Sequence, residues 1–150
     1  MVKFVGEHRA KLDDKGRLIF PSSFKNLMMQ SESITLRFVV KKDLFANCLN
    51  IFTYEEWEVE SEEIKSKLNF FNPEHNKFWR GYMSNRALIE TDNKLGRITI
   101  PKSLLETISV KKDVIFVGND HKIELWAKEN YEKEQISPED FVSLAEKILG

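Results

Sequence analysis

Two arginines of this 150-residue chain, Arg17 and Arg97, each follow a glycine and precede a short apolar run that ends in proline. The guanidinium group is a planar fork of donors that suits phosphate oxygens or the O6/N7 edge of guanine. A nearby lysine, Lys15 in the first segment and Lys94 in the second, adds a point charge that suits a phosphate backbone. The chemistry available to these residues is therefore recognition of an anion, and of nucleic acid in particular.

The first segment also contains a carboxylate at a useful spacing. Asp13 precedes Arg17 by four residues and could hold the guanidinium in one rotamer, which would lower the entropy cost of recognition. Asn93 stands four residues before Arg97 and can accept a hydrogen bond without supplying charge. Gly16 and Gly96 are expected to accept a positive φ and to keep both loops slim. The alternative is that Asp13 and Arg17 form only a turn-stabilising ion pair, since exposed pairs are common and contribute little.

The two segments belong to an internal repeat. Gly, Arg, Pro and Ser recur between residues 15–24 and 95–104 at a constant offset of 80, with apolar residues between them. Residues 49–57 resemble residues 123–131 at an offset of 74. We interpret each copy as a strand, a tight turn and a second strand, followed by further strands and a helix. The sequence thus predicts a first repeat over residues 1–70 and a second over residues 71–150, joined in one compact unit.

Alternation and β-propensity predict the strands of each copy. They fall at residues 18–20, 34–40, 49–52, 98–100, 113–118 and 123–126. Three helices are predicted as well: Tyr54–Leu68, a helix that begins at Asn72-Pro73 and runs to Met83, and a helix from Ser137-Pro138 that stops at Gly150. The prolines that close the short strands can each start a further short helix. This mixture of β-repeats and helices predicts an α+β fold.

The last predicted helix carries an apolar stripe. Phe141, Leu144, Ala145 and Ile148 recur at helical spacing on one face. We expect this face to pack either in the core or against another subunit.

Composition excludes several classes of protein. Hydrophobic residues make up 41% and charged residues 31% of the chain, which excludes a disordered or collagen-like polypeptide. No apolar run approaches the ~18–20 residues that cross a bilayer. The opening residues lack the apolar stretch of a secretory signal, so we expect a cytoplasmic protein without a membrane partner.

The net charge of −1 conceals an uneven distribution. Residues 1–27 carry six basic and three acidic side chains, a sum of +3, and residues 93–105 also sum to +3. Residues 54–63 hold six glutamates and no base, a sum of −6. Because a polyanion responds to the local field, the two basic segments remain compatible with a nucleic-acid partner.

Signals for catalysis are weak. His8, His75 and His121 are scattered without metal-ligand spacing. A single cysteine, Cys48, can form neither an intrachain disulfide nor a cysteine-based zinc site, and it is expected to be a small core residue. No glycine-rich phosphate loop or nucleophile elbow is present. We therefore expect a protein that is not an enzyme and has no cofactor, no bound metal and no small-molecule substrate.

Several blocks of the sequence resemble the MraZ family. Residues 6–21, which include Gly6-Glu7-His8 and the run from Leu12 to Pro21, are similar to the opening motif of that family. Similarity continues through residues 54–57, the Asn72-Pro73 helix start, and residues 116–126, so it covers nearly the whole chain. MraZ proteins carry one Asp-x-x-x-Arg motif per repeat. Asn93 departs from that pattern, whereas Asp13 and Arg17 match it.

The resemblance implies a fold and a function. The fold would be two tandem β-rich swapped-hairpin repeats of the AbrB type, forming a small β-barrel-like core with connecting and C-terminal helices. The function would be that of a nucleoid-associated transcriptional regulator of the division and cell-wall gene cluster, binding short direct repeats upstream of its own operon as a homo-oligomeric ring. The DNA-binding residues would be Arg9, Lys15, Gly16, Arg17, Lys94, Gly96 and Arg97, oriented by Asp13 and Asn93. The alternative is an oligomeric protein-interaction scaffold whose Asp-x-x-x-Arg turns make subunit contacts.

Overall fold

The computed structural model describes residues 2–31, 36–91 and 96–150 of the chain. Within these ranges the protein is a mixed α+β structure, as predicted. None of the helices in the described ranges has the length and apolar character needed to span a membrane. Asn93, Lys94 and the start of the strand predicted over residues 34–40 lie outside the described residues.

The strands occupy short segments in both halves of the chain. They are β1 (Phe4–Lys11), β2 (Arg17–Ile19), β3 (Arg37–Lys42), β4 (Leu49–Thr53), β5 (Arg86–Glu90), β6 (Arg97–Thr99), β7 (Asp113–Asp120) and β8 (Lys122–Ala127). Each predicted strand is present among the described residues. The predicted bounds of β2 and β6 were one residue late, because Phe20 and Ile100 already lead into the prolines that end each run.

Six strands form one antiparallel sheet in the order β1-β7-β8-β4-β3-β5. The hairpin β3–β4 belongs to the first copy of the repeat and the hairpin β7–β8 to the second. Strand β1 of the first copy pairs with β7, and β5 of the second copy pairs with β3. Each copy therefore contributes its leading strand to the other copy's hairpin, which joins the two halves into one hydrogen-bonded unit.

Glycines allow β1 to approach β7 closely. Gly6 pairs with Gly118 and has a φ of +106°, which L side chains rarely adopt. A Cβ atom added at Gly118 would lie 2.5 Å from the backbone nitrogen of Val5. Neither requirement was predicted from the sequence.

The core lies between the sheets and two short helices. Its largest fully buried side chains come from both copies of the repeat, which explains why neither half has a core of its own. They include Phe4, Phe24, Phe38, Phe116, Leu18, Ile98 and Ile100. Cys48 is fully buried, which confirms its expected place as a small core residue.

Helices follow the strands in each copy. They are α1 (Ser22–Met29), α2 (Tyr54–Ser66), α3 (Pro73–Met83), α4 (Lys102–Thr107), α5 (Lys128–Lys133) and α6 (Pro138–Leu149). The three helices predicted with bounds are confirmed, with α2 ending at Ser66 rather than Leu68. The Lys67 N–H donates to the Ile64 carbonyl and the Leu68 N–H donates to the Lys65 carbonyl, and these two bonds tighten the last turn.

Side-chain caps explain where α3 and α6 begin. The Asn72 side chain accepts a hydrogen bond from the Glu74 N–H, and the Ser137 side chain accepts one from the Asp140 N–H. Proline follows each cap at the first helical position, where its missing N–H costs nothing.

Candidate nucleic-acid interface

Strands β2 and β6 form a separate two-stranded antiparallel sheet, which we call the ribbon. Arg17 is opposite Thr99, and Ile19 is opposite Arg97. Since side chains alternate along a strand and paired residues share a face, these four side chains lie on one face. They are exposed or half-exposed, whereas Leu18 and Ile98 on the other face are almost fully buried. Burial of these two side chains therefore fixes which face of the ribbon meets solvent.

Both ends of the ribbon are closed by equivalent hydrogen bonds. The Phe20 N–H donates to the Gly96 carbonyl at 3.1 Å, and the Ile100 N–H donates to the Gly16 carbonyl at 2.8 Å. Phe20 and Ile100 are 80 residues apart, and so are Gly16 and Gly96, so each copy of the repeat donates one of these bonds and accepts the other. The two repeated segments are thus brought side by side, and both arginines belong to one hydrogen-bonded element.

The first turn is organised by the carboxylate of Asp13. Its Oδ1 accepts hydrogen bonds from the backbone N–H groups of Lys15, at 2.9 Å, and Arg17, at 2.8 Å. Its Oδ2 accepts from Nε of Arg17 at 2.6 Å. The backbone N–H of Arg17, with further help from that residue's side chain, lowers the pKa of Asp13 below its ordinary value. The predicted contact between the Asp13 carboxylate and the Arg17 guanidinium is therefore present, and the orienting role of Asp13 in recognition stays a prediction.

The sequence predicts a positive φ at each glycine that precedes a ribbon arginine. Gly16 has a φ of +78°, and a Cβ atom there would lie 2.7 Å from the carbonyl oxygen of Ile100. The prediction of a positive φ is therefore confirmed at Gly16. At Gly96, which adjoins the residues outside the described ranges, the positive φ stays a prediction, and an added Cβ would meet no described atom within 4 Å.

The other predicted binding residues lie around this turn or farther along β1. Lys15 is exposed at the tip of the turn. Arg9 is exposed on β1, opposite Ile115, and lies outside the ribbon. The structure thus brings Lys15, Gly16, Arg17, Gly96 and Arg97 together at the ribbon.

Three further lysines border the first turn. A groove of about 290 Å³ is lined by residues of this turn, including Asp13 and Gly16, and by Lys102, Lys111 and Lys112. The Leu12 N–H donates to the Lys112 carbonyl at 2.8 Å, which fixes this part of the chain beside the turn. In the sequence, Lys102 stands out only as one of the charges of residues 93–105. The Lys111–Lys112 pair was a signal that could have identified the rest of this basic border.

A group of potential metal ligands lies elsewhere, at Asp43, Cys48 and Glu124. The Asp43 carboxylate is already occupied, because Oδ2 accepts from the Phe45 and Ala46 N–H groups and Oδ1 accepts from the Asn50 side chain. Burial raises the pKa of the Cys48 thiol and keeps it neutral. These contacts fit a structural cap for the β3–β4 connection better than a cation site.

The three histidines have separate local contacts. The ring of His8 is 2.9 Å from Oγ of Ser23, and Nδ1 of His75 accepts from the Asn69 N–H at 2.8 Å. His121 lies beside Asp120 at a hairpin turn. Among the described residues the histidines do not converge on one site, in agreement with their spacing in the sequence.

Comparison with known proteins identifies the family. The family model described as "MraZ protein, putative antitoxin-like" matches residues 3–81 and 84–147, once for each copy of the repeat. A protein of Bacteroides thetaiotaomicron named "Transcriptional regulator MraZ" is 37% identical over all of this chain and 94% of its own length. A protein of Dictyoglomus thermophilum with the same name is 39% identical over 87% of this chain and 83% of its own length. The two matches of the family model include the ribbon and both hairpins. The chain therefore belongs to the MraZ family.

Proposed function

We propose that this protein is a sequence-specific DNA-binding regulator of transcription, acting on the division and cell-wall gene cluster. It binds short direct repeats upstream of its own operon and resides in the cytoplasm on the nucleoid. The observation that carries the proposal is the position of Arg17 and Arg97 on the solvent face of one rigid ribbon. The name "Transcriptional regulator MraZ" of full-length relatives supports it.

The dimensions of the ribbon suit the major groove. Two strands lie about 4.8 Å apart, and residues two apart on a strand are separated by about 6.6 Å. A two-stranded ribbon of this width enters the major groove of B-DNA, which is about 12 Å wide. Arg17 and Arg97 then face the DNA from diagonal corners, each within reach of a guanine edge or a phosphate.

The lysines beside the first turn supply the phosphate contacts of the proposed complex. Lys15 at the tip and Lys102, Lys111 and Lys112 along the groove surround the orienting carboxylate of Asp13. Ammonium groups contact phosphates without distinguishing bases, so they set register and affinity. Base discrimination is left to the two arginines of the ribbon. Lys94 and Arg9 stay predicted DNA contacts, and Asn93 stays a predicted orienting residue for Arg97.

The exchange of leading strands supports the finer fold proposal. Strand β1 pairs with the hairpin β7–β8 and strand β5 with the hairpin β3–β4, as two interlocked hairpin repeats require. We assign this arrangement to the swapped-hairpin type of AbrB, with the ribbon completing a barrel-like core. The division into residues 1–70 and 71–150 stays a prediction.

The proposed regulator assembles into a ring. Helix α6 has no buried residue, and its apolar stripe includes Phe141, Leu144 and Ile148. A groove of about 490 Å³ beside α2 and α3 is lined by the apolar side chains of Ile64, Leu68 and Phe78, with Lys67, Glu74 and His75 around them. The helix stripe and the groove are two dissimilar apolar surfaces. A helix stripe of one copy seated in the groove of the next gives a head-to-tail contact, which generates rings and suits direct repeats.

The double variant Leu144→Glu/Ile148→Glu tests this assembly by light-scattering mass. Placing carboxylates on the stripe is expected to give monomers, whereas Leu44→Glu on the exposed β3–β4 connection is expected to retain the assembly. A wild-type protein that is itself monomeric, or an unchanged mass for the double variant, would contradict the ring.

The DNA proposal is tested by footprinting DNA upstream of the gene. Wild-type protein is expected to protect a set of short direct repeats. Arg17→Ala and Arg97→Ala are expected to abolish protection and keep the oligomeric mass, with Arg80→Ala on the exposed side of α3 as the matched removal of one arginine. If Arg17→Ala instead dissociates the oligomer, the turn makes subunit contacts and the scaffold alternative is favoured.

A further inference from the structure

Ile19 is an apolar side chain in an unexpected position. It is 69% exposed on the solvent face of the ribbon, while its neighbours Leu18 and Phe20 are almost fully buried. Arg97 stands directly opposite Ile19, and Arg17 lies two residues before it on the same face. An isoleucine with that exposure contributes little burial energy to the fold.

The equivalent position in the second copy shows that isoleucine is not required by the strand. Thr99 lies 80 residues after Ile19, is exposed, and pairs with Arg17 as Ile19 pairs with Arg97. Threonine and isoleucine are both β-branched and both suit a strand. The larger apolar side chain at position 19 therefore needs an explanation other than strand formation.

We infer that Ile19 is a specificity-determining residue that packs on the 5-methyl group of a thymine when the ribbon lies in the major groove. This inference rests on the proposed DNA-binding function. Thymine is the base that presents a methyl group in the major groove, and apolar side chains recognise it by contact. Arg17 and Arg97 flank the contact, so a thymine is read next to positions that the guanidinium groups can bind.

The difference between Ile19 and Thr99 also gives the bound ribbon a direction. A ribbon with two identical halves would read both orientations of a site equally well. With a large apolar contact in one half and a small side chain with a hydroxyl group in the other, the two halves prefer different base steps. A subunit then distinguishes the orientation of its box, which direct repeats require.

Deoxyuridine is a direct probe of this contact, because it is thymidine without the 5-methyl group. The full-length protein is first used to select duplexes from a randomised DNA library. The thymines of a selected duplex are then replaced by deoxyuridine one at a time, and affinities are measured at fixed salt. For the wild type we expect one position per box where the replacement weakens binding by about fourfold, the contribution of one buried methyl group.

Ile19→Ala is expected to bind thymine and deoxyuridine at that position equally well and to keep the wild-type salt slope. Leu88→Ala, which removes another exposed apolar side chain, from strand β5, is expected to keep the discrimination. The inference is overturned if no thymine position discriminates in the wild type, or if Ile19→Ala retains the discrimination. Failure of the wild type to select or bind any duplex would instead overturn the proposed function itself.

Discussion

The carboxylate of Asp13 organises the first turn through three hydrogen bonds, two of them to backbone N–H groups. The four-residue spacing to Arg17 was sufficient to predict the ion pair. The contact with the Arg17 N–H could not be predicted, because it depends on the left-handed conformation of Gly16 between the partners. At this scale the sequence identifies the interacting side chains, while the turn geometry explains how the Asp13 carboxylate reaches both the backbone and the side chain of Arg17.

Asp13→Asn is expected to weaken operator binding roughly two- to tenfold, which is the cost of immobilising a side chain that is no longer held in place. The amide can still accept from the backbone, but its NH₂ group does not pair with Nε of Arg17. Binding to random DNA should be unchanged or stronger, since one negative charge is removed near the phosphates. A competition titration with operator and random duplexes measures both, and an unchanged ratio of the two affinities would contradict the orienting role.

The glycines of the two connections provide a matched pair of variants. Gly16→Ala is expected to lower the free energy of unfolding by about 1–3 kcal/mol, because it places a Cβ at positive φ and against the Ile100 carbonyl oxygen. Gly96→Ala is expected to leave stability unchanged or slightly higher, since no atom lies within 4 Å of the added Cβ. Urea denaturation measures both variants. Equal destabilisation by the two substitutions would show that the two turns have the same conformation.

The two strands of the ribbon could be predicted from the sequence, because they are equivalent segments of the internal repeat. Leu18 and Ile98 were expected on equivalent strands, and the structure pairs them directly. The pairing itself could not be derived from the sequence, because strand partners 80 residues apart are selected by tertiary packing. The alignment of the second connection, between β5 and β6, with the first, between β1 and β2, is also ambiguous. The Leu12 N–H donates to the Lys112 carbonyl and the Thr91 N–H donates to the Leu36 carbonyl, so these two equivalent donors are 79 rather than 80 residues apart.

The second connection is one residue longer than the first. Three residues lie between Leu12 and Gly16, and four lie between Thr91 and Gly96. Counting back from Arg97 gives Asn93 as the counterpart of Asp13, whereas counting forward from Thr91 gives Asp92. Sequence spacing therefore predicts the arginine of the second motif but not its acidic partner.

The β3–β4 connection is stabilised by Asp43, and this makes its stability dependent on pH. Burial raises the pKa of Asp43, but hydrogen bonds from Ala46, Asn50 and Phe45 and the charge of Lys122 outweigh it and lower the pKa to about 2. A folded-state pKa below the unfolded value stabilises the fold at neutral pH, and this contribution disappears as the pH falls from about 4 to about 2.

Asp43→Asn is expected to lower the free energy of unfolding at pH 7 by about 2 kcal/mol, because the pKa of Asp43 falls from 3.8 to about 2 on folding. It should also flatten the decline of stability between pH 4 and pH 2. Urea titrations at several pH values measure both effects, with Asp14→Asn at the exposed tip of the first turn as control. A wild-type stability that is constant over this interval would contradict the assignment.

On the scale of the whole molecule, each copy of the repeat is incomplete without the other. Strand β1 needs β7 and strand β5 needs β3, so the two copies fold as one sheet. The offsets of 80 and 74 predicted two copies of the repeat. They could not predict that each leading strand pairs with the hairpin of the other copy, because the pattern of an amphipathic strand is compatible with either hairpin. The unburied stripe of α6 was predicted to pack in the core or on a subunit, and its exposure favours the second choice.

In the proposed function, assembly into a ring raises the affinity of a small ribbon for DNA. If one subunit neutralises about two phosphates, its own salt slope is only about −1.8. Linked subunits that engage successive boxes add about 10²–10⁴ in avidity without any new type of contact.

The acidic segment at residues 54–63 forms most of α2, and its Glu60 forms an ion pair with Lys41 at 3.0 Å. We expect charge reversal of the remaining glutamates to change binding to random DNA more than binding to the operator.

The central claim is that the arginines of the ribbon bind DNA, and the dependence of operator affinity on salt tests it most directly. Fluorescence anisotropy with a duplex from upstream of the gene gives log affinity against log salt concentration for wild type, Arg17→Ala, Arg97→Ala and Arg80→Ala. We predict a steep negative slope for wild type and Arg80→Ala. For each ribbon variant we predict a weaker affinity and a slope reduced by about 0.9 for every phosphate that is no longer neutralised. A wild-type affinity that does not change with salt, or ribbon variants that bind as the wild type does, would contradict this claim.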